Sequence, residues 1–145
     1  LCVSNRINFE IVKKTCVWGV SEFHKTQLAR TNIGDRCAFY LVEERYETQK
    51  RKPSIGGIFE ILSDQYIDHS KLFAPRKQRS LEIYPYRINI KPLQVFEPEL
   101  PFKPLVPKLN FIVNKRHYVS HIFGRAIRPL PMEDLETICQ EYNNI

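Results

Sequence analysis

The residues best suited to binding chemistry are one tryptophan and two asparagines near the start of the chain. Trp18 is the only tryptophan, and it precedes Gly19, which has no side chain to cover the indole. Asn5 and Asn8 bracket the predicted start of a helix, from which their amides can point toward the strand ends. A stacking face with amide donors and acceptors at its edge suits a flat heterocycle. We therefore expect an exposed indole, with burial in the core as the alternative for a lone tryptophan.

Basic residues form a second feature with chemical meaning. Six basic residues and no acidic residue lie between Leu100 and Met132, whereas the rest of the chain carries equal numbers of each. A segment of one sign suggests a polyanion-binding surface, because neutralised phosphates release counterions. An ordinary solvated basic face is the alternative.

A shorter cluster follows an aromatic residue. Phe73 precedes three cations, Arg76, Lys77 and Arg79. This order would place a stacking ring beside phosphate-binding groups. The alternative is a loop that Phe73 ties to the core.

Patterns expected of a catalytic or metal site are weak. His117 and His121 share a face, but no cysteine or acidic residue lies near them to complete a metal site. The sequence lacks a glycine-rich motif of the kind that binds phosphates. None of its cysteines has C-x-x-C spacing, which favours buried reduced thiols over a metal site; they are Cys2, Cys16, Cys37 and Cys139. A disulfide is the alternative if the source is a hyperthermophile. We expect a binding domain without metal or cofactor, and not an enzyme.

Length and composition indicate one domain over residues 1–145. A hydrophobic content of 43% supports a packed core. The longest apolar run, Cys37 to Val42, is too short to cross a bilayer, so we expect no membrane association. The chain does not open with the pattern of a signal peptide, and we expect an intracellular, cytoplasmic protein.

Hydrophobic periodicity and capping signals predict short strands interrupted by short helices. Strands are predicted at Cys2–Val3, Val17–Val20, Arg36–Val42, Ile55–Ile61 and from Tyr84 onward, and the third of these is predicted to be buried on both faces. One helix is predicted from a cap at Ser4 or Asn5 to Lys14, and another from about Pro131 to Tyr142. The glycine pair Gly56-Gly57 predicts a bulge or a close backbone approach. The charged segment Glu43 to Pro53 is predicted to be an exposed, mobile loop. This pattern predicts an α+β fold whose curved mixed sheet is partly closed into a barrel.

Five segments resemble the EVE domain family, and especially its archaeal members. They are Ser-Asn-x-x-Asn at 4–8, Val-Trp-Gly-Val-Ser at 17–21, Gly-Ile-Phe-Glu-Ile at 57–61, Tyr-Pro-Tyr-Arg-Ile-Asn-Ile at 84–90 and Ser-His-x-Phe-Gly-Arg-Ala-x-Arg-x-Leu-Pro at 120–131. The resemblance implies a PUA-like pseudo-barrel, similar in fold to YTH and PUA domains, decorated by several short helices.

The resemblance also implies a pocket that reads a modified base, as YTH domains read methylated adenine in an aromatic cage. By that resemblance Trp18 would be the first wall of the pocket, Phe73 the second wall and Tyr84 the third wall, with Leu81 as the alternative to Tyr84. Asn5 and Asn8 would contact the base edge. The backbone at Val20 and Ser21 would lie near the exocyclic amine. The sequence departs from YTH domains at Gly19-Val20, where a polar residue usually follows the tryptophan, and at Phe73, which replaces a tryptophan.

We therefore expect a reader module that binds RNA or DNA, in which a basic rim contacts the flanking phosphates: Arg76, Lys77, Arg79, Lys115, Arg116 and Arg125. A restriction-type NTPase or nuclease is an implied partner. Two alternatives stay open. One is a general PUA-type RNA-binding domain that ignores base modification, and the other is a sensor of a small heterocyclic ligand.

Overall fold

The structure is a computed structural model that describes residues 1–76 and 79–145. The expected phosphate-binding role of Lys77 therefore lies outside the described residues. The strands are β1 (Cys2–Ser4), β2 (Val17–Val20), β3 (Arg36–Leu41), β4 (Glu44–Tyr46), β5 (Gln49–Arg51), β6 (Ser54–Ile61), β7 (Tyr66–Ile67) and β8 (Tyr86–Pro101). The α-helices are α1 (Arg6–Thr15), α2 (Lys25–Ala29) and α3 (Met132–Asn143), and short 3₁₀ helices cover Glu22–His24, Lys103–Lys108 and Tyr118–His121.

In the described part of the chain, six strands form one mixed sheet. Its order is β1-β3-β6-β8-β2, and β7 pairs with β8 beside β6. The β1–β3 pair is parallel and the other pairs are antiparallel. The predicted α+β fold with a mixed sheet and several short helices is confirmed. The sheet does not close into a barrel, because its path ends at β1 on one side and at β2 on the other.

Apolar residues cover both faces of the sheet. Along β3, Ala38 and Tyr40 join one buried cluster, whereas Cys37, Phe39 and Leu41 join a second cluster on the opposite face. This alternation confirms the prediction that β3 is buried on both sides. The first cluster is covered by the 3₁₀ helix after β8 and by α3, and the second by α1 and β2.

Local signals placed several elements correctly. Helix α1 starts after Asn5, whose Oδ1 accepts a hydrogen bond from the backbone N–H of Asn8 at 2.8 Å, as expected of an N-cap. It ends at Cys16, which has a left-handed φ of 57°. At Gly56, an added Cβ would lie 2.5 Å from the ring of Phe9, so the glycine lets α1 approach β6 closely. The pairing register also shifts between Ile55 and Gly57, which confirms the predicted irregularity.

The charged segment after β3 forms a hairpin of β4 and β5, so its prediction as a loop is wrong. The physical reason is Arg6, whose side chain is only 9% exposed. Its guanidinium donates to the carboxylates of Glu44 and Glu99 and to the backbone carbonyls of Val42 and Lys52. Both ends of the hairpin are thus bonded to one buried cation from α1.

Strand β8 begins at Tyr86 and not at Tyr84. Tyr84 has a φ of 52°, which is outside the strand region. The strand continues to Pro101 and so includes Pro92, Pro98 and Pro101. None of the helices among the described residues has the length and apolar character needed to span a membrane.

We predict that Arg6→Met lowers the free energy of unfolding by about 3–5 kcal/mol, because two carboxylates and two carbonyls lose a buried partner. Urea denaturation measures this loss. The matched control is Lys50→Met on the same hairpin, which removes only the exposed ion pair with Glu43. That control should change stability by less than about 1 kcal/mol. Equal effects of the two substitutions would contradict the prediction.

Candidate functional site

The indole of Trp18 is buried, with 4% of the residue exposed. Its ring packs edge to face against Phe39, with the centroids 5.7 Å apart. Trp18 and Val20 are both buried residues of β2 and belong to the same apolar cluster. The prediction of an exposed indole is therefore wrong for this conformation. Neither of the two surface cavities described below is lined by Trp18.

Gly19 does not leave the tryptophan open; it makes room for other groups. A Cβ at this position would lie 2.7 Å from the carbonyl oxygen of Tyr84, 2.9 Å from Cγ of Arg87 and 3.1 Å from the ring of Phe73. Distances this short exclude a side chain unless the backbone shifts. Glycine is thus required for the loop before β8 to lie against β2.

Asn8 holds that loop from the other side. Its Nδ2 donates to the carbonyl of Ala74 at 3.1 Å, and its Oδ1 accepts from the N–H of Ala74 at 2.8 Å. Asn5 caps α1 by accepting a hydrogen bond from a backbone N–H, so the side chains of both asparagines are bonded to backbone groups. Their expected contacts with a base edge remain predictions.

Arg87 is the organising residue that the sequence analysis missed. It is 1% exposed, although Asn89 and Lys91, at the alternate positions along β8, are exposed. Its guanidinium donates to the carbonyls of Tyr84 and Ile83 and to the hydroxyl of Ser70, and it lies 3.4 Å from the carboxylate of Asp68. A buried arginine needs several such partners, because an unpaired buried charge is very costly. Two separate parts of the loop are thus tied to β8.

These contacts bring two of the predicted cage residues together. Phe73 is 8% exposed, and its ring meets Tyr84 edge to face at 6.2 Å. Burial raises the pKa of the Tyr84 hydroxyl, which keeps it protonated. The guanidinium of Arg87 lies 5.5 Å from the Phe73 ring. We call Asn8, Gly19, Phe73, Tyr84 and Arg87 the loop cluster.

The other predicted pocket residues lie around the loop cluster. Val20 and Ser21 are buried at the end of β2. Leu81, the alternative to Tyr84, is 93% exposed and outside the cluster. The structure therefore brings Phe73 and Tyr84 together beside Gly19 in a packed layer, whereas the ring of Trp18 packs against Phe39.

The predicted phosphate-binding residues fall into two groups. Arg76 and Arg79 are exposed and lie close to His24. Burial lowers the pKa of His24 below its ordinary value, and the positive charges of Arg76 and Arg79 lower it further. Arg79 also stacks on the exposed ring of Phe23, with its guanidinium carbon 4.6 Å from the ring centroid.

Lys115, Arg116 and Arg125 form the second group and are also exposed. Their segment is anchored by Ile112, Tyr118 and Ile122, which pack into the cluster on the sheet face opposite Trp18. The five expected cations that the structure describes therefore do not share one rim.

Two surface cavities of about 500 Å³ each are present in the described residues. One lies next to the loop cluster and is lined by Glu22, Arg79, Leu81, Glu82, Pro85 and Tyr86, among others. The other lies between α1 and the end of β8 and includes Arg6. The guanidinium of Arg6 already has carboxylate and carbonyl partners, and the lining of this second cavity also includes Lys13, Arg51 and Lys52. The first cavity is the one that adjoins the predicted pocket residue Tyr84, through its lining residues Ile83 and Pro85.

Histidines and cysteines do not assemble a metal site within the described ranges, where no three His, Cys, Asp or Glu side chains group suitably. His121 instead accepts a hydrogen bond from the N–H of Asn114. Cys2 and Cys37 are buried, as predicted, whereas Cys16 and Cys139 are half-buried.

We predict that Gly19→Ala destabilises the protein by about 1–3 kcal/mol, because the added methyl group overlaps the Tyr84 carbonyl and the Arg87 side chain. Thermal or urea unfolding measures the loss. Gly124→Ala is the control that separates backbone strain from steric overlap. A Cβ at this position would meet no atom within 4 Å, whereas the φ of 76° makes any side chain there strained. Amide exchange in residues 70–76 should accelerate only in Gly19→Ala, and unchanged exchange there would contradict the proposed packing.

The fold is shared with two solved structures of protein–ligand complexes. Human THYN1 in complex with 5-methylcytosine-containing DNA matches with a TM-score of 0.55 at 18% identity, over 89% of this chain and 80% of that one. The Pho92 YTH domain in complex with m6A matches with a TM-score of 0.56 at 13% identity, over 97% and 80%. At these identities the similarity shows the fold alone.

Sequence comparison gives a more specific assignment. A UPF0310 protein of the archaeon Pyrococcus horikoshii is 42% identical over 139 residues, which cover 95% of this chain and 94% of that protein. A model of the EVE domain family matches residues 1–141. The match includes every element from β1 to most of α3. The chain belongs to the EVE domain family.

Proposed function

We propose that this EVE domain is a nucleic-acid reader that holds one base at the loop cluster, and that it is a binding domain and not an enzyme. The observation that carries the proposal is the meeting of Phe73 and Tyr84 with the cations Arg76 and Arg79 beside β2, the strand that contains Trp18. Aromatic rings beside cations suit a base and its phosphates. The fold similarity to a complex with 5-methylcytosine DNA and to one with m6A supports a nucleic acid as the ligand.

Capture of a base against Trp18 requires the packed residues around it to move. We assign this movement to the segment around Phe73, which belongs to the same buried cluster as Trp18 and is held beside Gly19 by Asn8 and Arg87. Stacking on two rings contributes roughly 1–3 kcal/mol per ring, which is comparable to the cost of extruding a base from a duplex. Burying one base methyl group adds only about 0.8 kcal/mol, so the preference for a methylated base should be about fourfold.

The fluorescence of Trp18 tests this proposal, because the protein contains no other tryptophan. Single- and double-stranded RNA and DNA oligonucleotides, each with and without a methylated base, are titrated while anisotropy reports binding and tryptophan emission reports stacking. We expect binding with quenched emission, and an affinity about fourfold higher for one methylated base. Phe73→Ala should weaken binding, whereas Tyr46→Ala on the exposed hairpin should not. Binding without any change in emission would contradict base capture at Trp18.

A second candidate is a surface that binds RNA without capturing a base. The burial of Trp18 and the separate cations Lys115, Arg116 and Arg125 favour it. In that case affinity falls steeply with salt, ignores methylation and depends on these three residues. The same titrations distinguish the two functions, and free nucleosides in the panel test the small-ligand alternative. The restriction-type NTPase or nuclease partner stays a prediction.

We predict that binding is coupled to protonation of His24. Its pKa is lowered in the free protein by burial and by Arg76 and Arg79. Phosphates placed between these arginines compensate their charge, so the pKa of His24 rises on binding and the complex takes up a proton. Affinity should therefore increase as the pH falls from 8 toward 6.

The coupling is measured by NMR titration of His24 with and without an oligonucleotide, and by affinity as a function of pH. His24→Gln should remove this part of the pH dependence, whereas His117→Gln on the other basic segment should leave it in place. An unchanged His24 pKa in the complex would show that phosphates do not approach Arg76 and Arg79.

A further inference from the structure

The cavity beside the loop cluster has no role in the base capture described above. It has a volume of about 500 Å³, and its lining includes Glu22, Arg79, Leu81, Glu82 and Tyr86. This volume lies in the range of pockets that bind small organic groups. The cavity is bounded by the 3₁₀ helix at Glu22–His24 and by the loop before β8, which are the segments that also carry the first group of cations.

Tyr86 lines this cavity and Phe23 lies beside it, next to the lining residues Glu22 and Arg79, and each ring is paired with a cation. Arg79 lies 4.6 Å from the ring of Phe23, which is 72% exposed, and Lys25 lies 5.5 Å from the ring of Tyr86. Leaving a phenylalanine ring and the 93% exposed Leu81 in water is unfavourable for the isolated protein. An exposed ring next to a guanidinium is instead the arrangement that binds single-stranded nucleic acid, because the ring stacks on a base and the cation meets the phosphate.

Two carboxylates line the same cavity. Glu82 accepts a hydrogen bond from the N–H of Tyr84 at 2.9 Å, and Glu22 pairs with Lys25 at 3.2 Å. An ionised carboxylate offers about four acceptor positions, so each retains capacity after these contacts. The two carboxylates disfavour a phosphate between them, whereas Arg79, which also lines the cavity, can meet one at its rim. The lining therefore suits a base whose exocyclic amine donates to a carboxylate, with the phosphates outside near Arg79 and Lys25.

We infer that this cavity is a subsite for the nucleotide next to the captured base, and that it prefers a base with an exocyclic amine over thymine or uracil. The inference rests on the proposed function and adds to it a preference for the type of base next to the captured one. Phe23 supplies the stacking surface, Arg79 contacts the adjoining phosphate, and Glu22 and Glu82 select the amine. The domain thus reads a base in its sequence context.

The test uses single-stranded oligonucleotides in which one methylated base is flanked by either cytosine or thymine. The wild-type protein should bind the cytosine context more tightly. Phe23→Ala should weaken both contexts about tenfold through lost stacking. Ile33→Ala, a second exposed apolar residue outside the cavity, is the matched control and should leave both affinities unchanged.

Glu82→Gln tests the selection of the amine. The amide oxygen of glutamine can still accept from the Tyr84 N–H, so the loop is retained, while its NH₂ group donates to the carbonyl of thymine. The cytosine preference should shrink or reverse without a change in melting temperature. Equal wild-type affinities for the two contexts, or an unchanged preference in Glu82→Gln, would overturn the subsite while leaving base capture intact. The absence of oligonucleotide binding would instead overturn the proposed function.

Discussion

The contact between Arg87 and Gly19 is the constraint on which the candidate site depends. The Arg87 side chain occupies the space that a Cβ at position 19 would fill. From there its guanidinium bonds to Ser70, Ile83 and Tyr84 and fixes the loop before β8. A buried arginine is tolerated only when it has such partners, so the cation and the loop stabilise each other. The rings and cations that line the site are positioned as a consequence.

This packing also sets the balance between closed and open forms of the site. The bonds between Asn8 and Ala74 hold the Phe73 segment over β2, and each contributes about 0.5–1.5 kcal/mol net. Stacking of a base on Trp18 returns roughly 1–3 kcal/mol. The proposed capture of a base would have to offset these bonds together with the burial of Phe73 and the hydrogen bond from Arg87 to Ser70.

The sequence predicted those features that depend on local pattern. Strand β2, the Asn5 cap of α1 and the glycine pair in β6 were all correct, because caps, periodicity and glycine act over a few residues. The errors involve partners distant along the chain. Gly19 suggested an open indole, but its neighbours are Phe73, Tyr84 and Arg87. Arg87 is buried although Asn89 and Lys91, at the alternate positions of β8, are exposed. Its hydrogen-bond partners lie in the loop before β8, whose conformation cannot be predicted from the strand period.

The distribution of charge gives the last constraint on how a nucleic acid lies on this domain. Arg76 and Arg79 adjoin the loop cluster, whereas the segment with Lys115, Arg116 and Arg125 is anchored on the opposite sheet face. The electrostatic part of affinity grows with the number of phosphates neutralised. Under the proposed function, a short strand bound at the loop cluster would meet Arg76 and Arg79, while the second group of cations would lie beyond it on the opposite sheet face. Base contacts would then have to supply most of the affinity for a short ligand, and the proposed specificity would rest on the rings and carboxylates near β2.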